Sequence, residues 1–321
     1  MTSQDTGRSP GASVPTGRSA VREGLHRLRR WRLLDSKAFF LCVTLVPALV
    51  ILSLFVFWPI LYSIYLSFFK TRLFTPVEFV GLDQYRAVLS DDLFWTATRN
   101  TLLYTVGSLT ISVIVGLILA LLLNKVTRAA GVYRTGFFLP YIVPYAAYAL
   151  LWFWLLDPRY GFVNYILGYL GVGPIPWLQS SSWVIPAFVV MSVWKRIGFV
   201  CVVLLAGLQT VPTELYDAAS VDGAGPWSRF RYITSPKLIP ITLFVAVIQL
   251  IYSLQIFVEP YVLTQGGPGT ASLSMAQLLY NQAFGTLNIG QSSVTAVAML
   301  VLIGGSSAVL FRLLQPKDAD L

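Results

Sequence analysis

The sequence is poor in the residue types that most enzymes and metal sites need. Charged residues make up 12 % of the 321 residues, about half the usual share of a soluble domain. The single histidine, His26, disfavours histidine-based catalysis and metal binding. Cys42 and Cys201 are the two cysteines, too few for a zinc site, and both lie in apolar runs. No Gly-Lys pair occurs, so the chain has no P-loop to bind nucleotide phosphates.

Apolar residues, in contrast, are abundant and clustered. They make up 56 % of the chain, more than a soluble fold of this size can bury. A membrane-spanning helix needs about 20 mainly apolar residues. Six stretches reach that length, at approximately 38–68, 98–124, 136–156, 183–208, 238–262 and 291–314. The sequence therefore predicts an all-α integral membrane protein with six transmembrane helices.

The basic residues predict the orientation of these helices. The net charge is +9, and eight of the 23 lysines and arginines precede residue 38. With the N-terminus inside, sixteen basic residues fall on the cytoplasmic side and four on the outside. This asymmetry predicts that both termini are cytoplasmic. The basic segments are also typical of a surface beside anionic lipid rather than of a nucleic-acid partner.

Three regions follow from this pattern. Residues 1–37 are expected to form a basic, largely disordered cytoplasmic tail without a signal peptide, because they contain no apolar core segment. Residues 38–314 form the membrane domain, and 315–321 form a cytoplasmic C-terminal tail. A short helix is expected near Leu82–Leu89 in the first outside loop.

The cytoplasmic loop 209–237, between the fourth and fifth spans, differs from the others. Pro212 and Thr213 are helix start signals. Glu214 and Asp217 then lie near the positive end of the helix dipole, where acidic residues are favoured. Two alanines follow and keep one helix face narrow.

The same loop contains a second predicted helix. Gly223 to Pro226 interrupts the first helix, residues 227–233 form the second, and Pro236 is expected to end it. Such a helix–turn–helix element suits insertion into a groove on another protein. An ordinary amphipathic linker between two spans is the equally weighted alternative.

The loop resembles the EAA motif of binding-protein-dependent ABC importer permeases, Glu-Ala-Ala-x3-Gly-x9-Ile-x-Leu-Pro. The matching residues are Asp217, Ala218, Ala219, Gly223, Ile233 and Pro236. Asp217 stands where the motif has glutamate, which keeps the charge on a shorter side chain. Ser235 stands where the motif has leucine.

This resemblance implies the fold of a type I ABC importer permease with a cytoplasmic coupling helix. In the family, this loop docks into the ATPase subunit and transmits its closure to the membrane helices. The residues implied in ATPase coupling are Glu214, Asp217, Ala218, Ala219 and Gly223.

Three further segments are similar to the carbohydrate branch of that family. They are Phe79 to Tyr85, Phe94-Trp95-x3-Arg99-Asn100-Thr101, and Tyr261 to Gly269. Together they look like the first of two permease subunits in trehalose, maltose-like and glycerol-3-phosphate importers. The implied partners are a second permease, two ATPase subunits that bind ATP and magnesium, and an extracytoplasmic solute-binding lipoprotein. The implied location is the bacterial cytoplasmic (inner) membrane.

Charged residues inside a predicted span mark a possible substrate path. Lys195 and Arg196 lie in the middle of span four, where a charge must face protein, water or a partner. Either they line the translocation path, or they tie neighbouring helices together.

Span five carries a second set of polar residues. Gln249, Tyr252 and Ser253 share one helical face, and Gln255 and Glu259 are predicted to share another. An aromatic ring beside amides suits a sugar, while polar contacts between helices are the alternative role. Glu259 lies near the outer end, where contact with the binding protein is a further alternative.

The predicted function is a non-catalytic permease subunit that imports a sugar by alternating access, with a disaccharide such as trehalose or a maltose-like sugar as substrate. A secondary transporter or channel is the alternative, and it should show paired intramembrane acids or broken helices. A membrane-embedded enzyme would need clustered histidines or acids at the membrane surface.

Overall fold

The computed structural model describes residues 37–72, 75–125 and 130–314. Apart from Lys37, the predicted tails 1–37 and 315–321 lie outside these residues. The chain divides into two units, Met1–Tyr62 and Ser63–Leu321.

The first unit contains a long apolar helix. Helix α1, Lys37–Leu52, continues through a π-helical turn, Ser53–Phe57, into α2, Trp58–Leu66, which extends into the second unit. The large apolar side chains described between residues 41 and 61 are exposed. A surface of this kind requires lipid or a protein partner.

The second unit opens with a feature that the sequence did not predict. Strands β1, Phe69–Arg72, and β2, Thr75–Phe79, form an antiparallel hairpin that pairs Phe69 with Phe79. Helix α3, Asp83–Leu89, follows and confirms the short helix expected in this loop.

The remaining elements are helical. The α-helices are α4 (Asp92–Asn124), α5 (Ala130–Ile142), α6 (Tyr145–Leu155), α7 (Phe162–Tyr169), α8 (Val184–Leu208), α9 (Thr213–Val221), α10 (Pro226–Arg229), α11 (Ser235–Leu254), α12 (Met275–Tyr280) and α13 (Ile289–Leu314). Further π-helical turns occupy Phe230–Thr234, Pro260–Thr264 and Asn281–Gly285.

Within the described residues, five helical stretches are long and apolar enough to cross a membrane, and a bent pair brings the number to six. The unbroken candidates are Val43–Leu66, Asp92–Asn124, Val184–Leu208, Pro226–Leu254 and Ile289–Leu313. The bent pair, Gly131–Ile142 and Tyr145–Leu155, meets at 98°. With the pair taken as one span, the six predicted helices are confirmed in order.

The third span is therefore two separate helices that meet at a sharp bend, and not one continuous helix that contains prolines. Pro144 has no N–H group to donate to the carbonyl of Pro140, and its ring crowds that carbonyl. Tyr145 begins a new helix in which Pro144 occupies the N-terminal cap position.

Span five differs from its prediction at its N-terminal end. The expectation that Pro236 ends a short helix is wrong, because one helical stretch runs from Pro226 to Leu254. The π-helical turn Phe230–Thr234 precedes this proline, and the Ser235 N–H donates to the carbonyl of Phe230. A widened turn of this type accommodates the missing N–H of proline.

The C-terminal end of span five also differs. Helix α11 ends at Leu254, so Gln255 and Glu259 do not share a helical face, and that prediction is wrong. Pro260 provides the reason, because an unbroken helix would need its absent N–H to reach the carbonyl of Ile256.

Span four lies at the centre of the second unit. Of the 18 most apolar consecutive residues in Val184–Leu208, 61 % are buried. The same share is 17–39 % in the other unbroken spans that lie wholly within this unit. Small residues permit its close packing. A Cβ at Gly116 of α4 would overlap Val200, and one at Gly198 of α8 would overlap the carbonyl of Phe137.

Candidate functional site

A cavity of about 210 Å³ lies where the broken third span, α8 and α11 meet. Its lining combines aromatic rings, two basic side chains and one amide. The lining residues are Tyr141, Tyr145, Lys195, Arg196, Phe199, Ile248, Gln249 and Tyr252. The structure thus brings together four of the seven residues that the sequence suggested for a substrate path.

Lys195 ties neighbouring helices together, which was one of the two roles predicted for it. It also lines the cavity. Its Nζ donates to the carbonyls of Val143 at 2.6 Å, Pro140 at 3.3 Å and Tyr141 at 3.4 Å. An ammonium group has three donors, so these carbonyls engage all of them. The positive charge lies at the C-terminal end of α5, where the helix dipole favours a cation.

Arg196 has a different environment. Its side chain is buried, and Nη1 donates to Oγ of Ser253 at 3.2 Å. Ser253 in turn shares a hydrogen bond of 2.9 Å with Ser108, so three spans meet at this point. The guanidinium carbon lies 5.4 Å from the ring centroid of Tyr252, within the range of a cation–π contact.

The predicted face of span five is only partly turned toward the cavity. Gln249 and Tyr252 line it, whereas Ser253 is buried against Arg196 and Ser108. Gln249 is 2 % exposed, and its Nε2 has no hydrogen-bond partner within the part of the chain that the structure describes. An unpaired donor beside a cavity is available to a ligand.

The two remaining candidates lie outside the cavity lining. Gln255 is exposed beyond the end of α11. Glu259 is buried and interacts electrostatically with Arg196 and Lys195, although it forms no ion pair with either. The Tyr148 hydroxyl lies near the Glu259 carboxylate but has no hydrogen bond of normal geometry.

Sequence reasoning missed four residues of the lining: Tyr141, Tyr145, Phe199 and Ile248. One signal for two of them was present, because a tyrosine follows each proline in Pro140-Tyr141 and Pro144-Tyr145. The Tyr141 ring stacks on Phe199 with centroids 5.5 Å apart. The positions of Phe199 and Ile248 in the cavity wall depend on how the helices pack, which the sequence alone does not show.

The first helix predicted in the loop 209–237 forms as expected. Helix α9 begins after Pro212, and none of its residues is buried. Glu214, Asp217 and Ala218 are exposed, and Ala219 is half-buried. Gly223 ends the element with φ of +71°, a conformation that favours glycine.

Two side chains fasten this element to the beginning of span five. The hydroxyls of Tyr216 and Thr234 share a hydrogen bond of 2.9 Å, and Nε of Arg229 donates to the carbonyl of Ala224 at 2.8 Å. Two large side chains beside these contacts, Val221 and Trp227, are 89 % and 75 % exposed. The element therefore presents an open surface while remaining attached to a membrane helix.

The loop between α6 and α7 is organised by Asp157. Its Oδ1 accepts from the backbone N–H groups of Tyr160 at 2.9 Å and Arg159 at 2.8 Å. These two hydrogen bonds lower the pKa of the Asp157 carboxyl. Across residues 37–72, 75–125 and 130–314, no cluster of three or more His, Cys, Asp and Glu side chains is placed to hold a metal ion.

Comparison with known proteins agrees with this arrangement. Residues 112–317 match a family model described as a binding-protein-dependent transport system inner membrane component. Among curated relatives, a sulfoquinovosyl glycerol transport permease from Agrobacterium fabrum is 37 % identical, with 94 % of this chain and 99 % of the relative covered. A trehalose/maltose transport permease from Thermococcus litoralis is 36 % identical, with 80 % and 88 % covered.

A solved structure shares the fold. One chain of a bacterial ABC transporter for import of the acidic polysaccharide alginate superposes with a TM-score of 0.73 at 24 % identity. The match covers 88 % of this chain and 99 % of the other. The expected type I permease architecture is thereby confirmed.

Proposed function

This chain belongs to the family of binding-protein-dependent transport system inner membrane components, and from that premise we propose that it is one of two permease subunits of an ATP-driven sugar importer. It is a multi-pass inner-membrane protein of a transport family. Its proposed contribution is half of the translocation path, and ATP hydrolysis belongs to a separate subunit.

One observation carries this proposal: a single helical stretch joins the coupling element to the cavity. Pro226–Leu254 begins beside α9, to which it is tied through Thr234 and Tyr216. The same stretch carries Gln249 and Tyr252 in the cavity wall. A displacement of α9 can therefore reach the cavity along one helix.

The proposed mechanism is alternating access. ATP and magnesium bind to two partner ATPase subunits, whose closure moves α9. The proposed contact residues on α9 and its C-terminal turn are Glu214, Asp217, Ala218, Ala219 and Gly223. Their exposure supports this role. Movement of span five then opens the cavity to the outside, and hydrolysis returns it to the inward-facing state. Both termini lie in the cytoplasm in this arrangement.

The remaining proposed partners are a second permease and an extracytoplasmic solute-binding lipoprotein. Small-molecule pockets usually enclose about 300–1,000 Å³, whereas this cavity measures about 210 Å³. A second permease would supply the missing wall. The relatives named for trehalose/maltose and sulfoquinovosyl glycerol support a carbohydrate as substrate. The predicted size of the substrate is still that of a disaccharide such as trehalose or a maltose-like sugar.

The proposal is tested by ATP-driven uptake in proteoliposomes that contain the complete transporter. Asp217→Lys should abolish uptake while the complex still assembles, because it reverses the charge on the exposed face of α9. Asp92→Lys makes the same change at an exposed position on α4, away from α9 and its C-terminal turn, and should transport normally. Normal uptake by the Asp217 variant would refute the coupling role.

A secondary transporter has one observation in its favour, the 98° break in the third span. Broken helices line the substrate sites of such transporters. It would transport along an ion gradient without ATP or a partner ATPase, and the same proteoliposomes distinguish the two mechanisms.

A further inference from the structure

The charged groups around the cavity do not balance. Lys195 and Arg196 line it, and Glu259 is the acidic residue that interacts with both. Among the residues that the structure describes, the only ion pair joins Arg86 and Asp83, far along the chain from this site. The three groups carry a net charge of +1 if Glu259 is ionised and +2 if it is protonated. The local charge is positive in both cases.

Arg196, rather than Lys195, is the cation available to a ligand. The three donors of Lys195 are engaged by backbone carbonyls. A guanidinium has five N–H donors, and the neutral hydroxyl of Ser253 accepts from Nη1 at 3.2 Å. The ring of Tyr252 and the hydroxyl of Tyr145 are also neutral neighbours. These contacts orient the guanidinium without neutralising it.

Within the described residues Arg196 forms no ion pair. A buried cation of this kind is costly in a membrane, and such residues usually face a water-filled path. Arg196 is 6 % exposed and borders the cavity. The Nε2 group of Gln249 is a second buried donor on the same wall, without a partner in the described chain. The unpaired Gln249 donor and the positively charged guanidinium of Arg196 complement an acceptor group that carries negative charge.

We propose that the substrate is an anionic carbohydrate, a sugar or glycoside that bears a sulfonate, phosphate or carboxylate, and that Arg196 binds this group with Gln249 as a second donor. The proposal rests on the proposed transport function and specifies its substrate class. The expected substrate keeps the size of a disaccharide but carries a negative charge. Arg196 becomes the residue that determines specificity for charge.

The aromatic part of the lining supports a carbohydrate rather than a bare inorganic anion. Tyr141 and Phe199 form a stacked pair on the wall, and Tyr145 and Tyr252 lie beside the two cations. Aromatic rings contact the apolar face of a sugar, which an inorganic ion lacks. The cavity therefore has one region for a negative group and another for a ring.

The experiment measures equilibrium binding to the purified transporter complex in nanodiscs, without the solute-binding protein. The probes are matched pairs, trehalose with trehalose-6-phosphate and glucose with glucuronate, together with inorganic phosphate. The anionic member of each pair should bind about tenfold to a hundredfold more tightly, as expected for hydrogen bonds to a charged group. Arg196→Gln should remove this preference without changing the affinity for the neutral sugar.

Two further variants keep the result interpretable. Arg196→Lys retains the charge and should keep part of the preference, which separates charge from folding. Arg99→Gln removes a positive charge from an exposed position on α4 and should bind like the wild type. Equal affinity for neutral and anionic sugars, or an unchanged preference in Arg196→Gln, would overturn the proposal. Equal binding of inorganic phosphate and the sugar phosphate would overturn its carbohydrate part.

ATP-driven uptake of the same probes separates this inference from the proposed function. If no probe is taken up with ATP, the importer proposal fails, and the binding result still decides the anion site. If neutral sugars alone are taken up and bound, the importer proposal stands and the charge inference fails.

Discussion

Removal of the Lys195 ammonium group should loosen the break in the third span. In Lys195→Met, the carbonyls of Val143, Pro140 and Tyr141 lose the donor that they share. A hydrogen bond to a charged group contributes about 1.5–3 kcal/mol. The 2.6 Å bond to Val143 should dominate, since the other two measure 3.3 and 3.4 Å.

The net cost is smaller than the sum of three bonds. Methionine removes the unfavourable burial of an ammonium group, and cavity water can reach some of the freed carbonyls. We therefore expect a loss of about 2–4 kcal/mol in the free energy of unfolding, because one strong bond disappears and two weaker ones follow.

Denaturant unfolding in mixed micelles measures that free energy, and hydrogen exchange reports on the backbone amides around residues 140–148. Exchange should accelerate there more than in α4. Lys237→Met is the matched control, because Lys237 is exposed near the N-terminal end of span five. Wild-type stability and unchanged exchange in Lys195→Met would refute the role of this residue as a tie.

Three further predictions concern other contacts. Tyr216→Phe removes the hydrogen bond to Thr234 and should lower the free energy of unfolding by about 1 kcal/mol. The variant should also take up less sugar per ATP hydrolysed. An unchanged ratio would contradict the proposed link between α9 and span five. Gly198→Ala should prevent stable assembly, because the new Cβ overlaps the Phe137 carbonyl; wild-type yield and melting temperature would show that this packing is not required. The lowered pKa of Asp157 means that its contribution is present above the unfolded-state pKa and is lost as pH falls through the folded-state pKa. Protease resistance of this loop should therefore decline in acid, whereas Asp157→Asn should show no such dependence; equal acid sensitivity in both would contradict the assignment.

The membrane spans were predictable because their signal is physical and local. About 20 apolar residues must occur together for a helix to cross a bilayer. The ends of the helices were less predictable, as span two shows. Its helix begins at Asp92 rather than near residue 98, because the Asp91 side chain accepts from the Leu93 N–H at 2.9 Å and caps it.

Prolines caused the errors in span five. Sequence reasoning treats Pro236 as a helix end, but the π-helical turn Phe230–Thr234 accommodates it. No such turn precedes Pro260; α11 ends six residues before it, at Leu254, and Gln255 and Glu259 lie on either side of the resulting break. A single sequence does not show which prolines are preceded by a widened turn.

The candidate site was half predictable. Charges and amides within apolar runs, such as Lys195 and Gln249, are conspicuous in a sequence because they are costly in lipid. Phe199 and Ile248 are ordinary apolar residues, and their place in the cavity wall depends on how the helices pack. Lys195 donates to carbonyls at the break in the third span, whereas Arg196 contacts span five, and neither set of partners follows from the adjacency of the two residues.

The most direct test of the account follows the cavity through the transport cycle. Ile248→Cys, in a chain whose Cys42 and Cys201 are replaced by serine, places a thiol in the cavity wall. In the complete transporter, a membrane-impermeant maleimide added outside should label this thiol faster when ATP is bound without hydrolysis. Asp217→Lys should remove that increase. Labelling that is independent of nucleotide would contradict the claim that ATP acts on this cavity through α9 and span five.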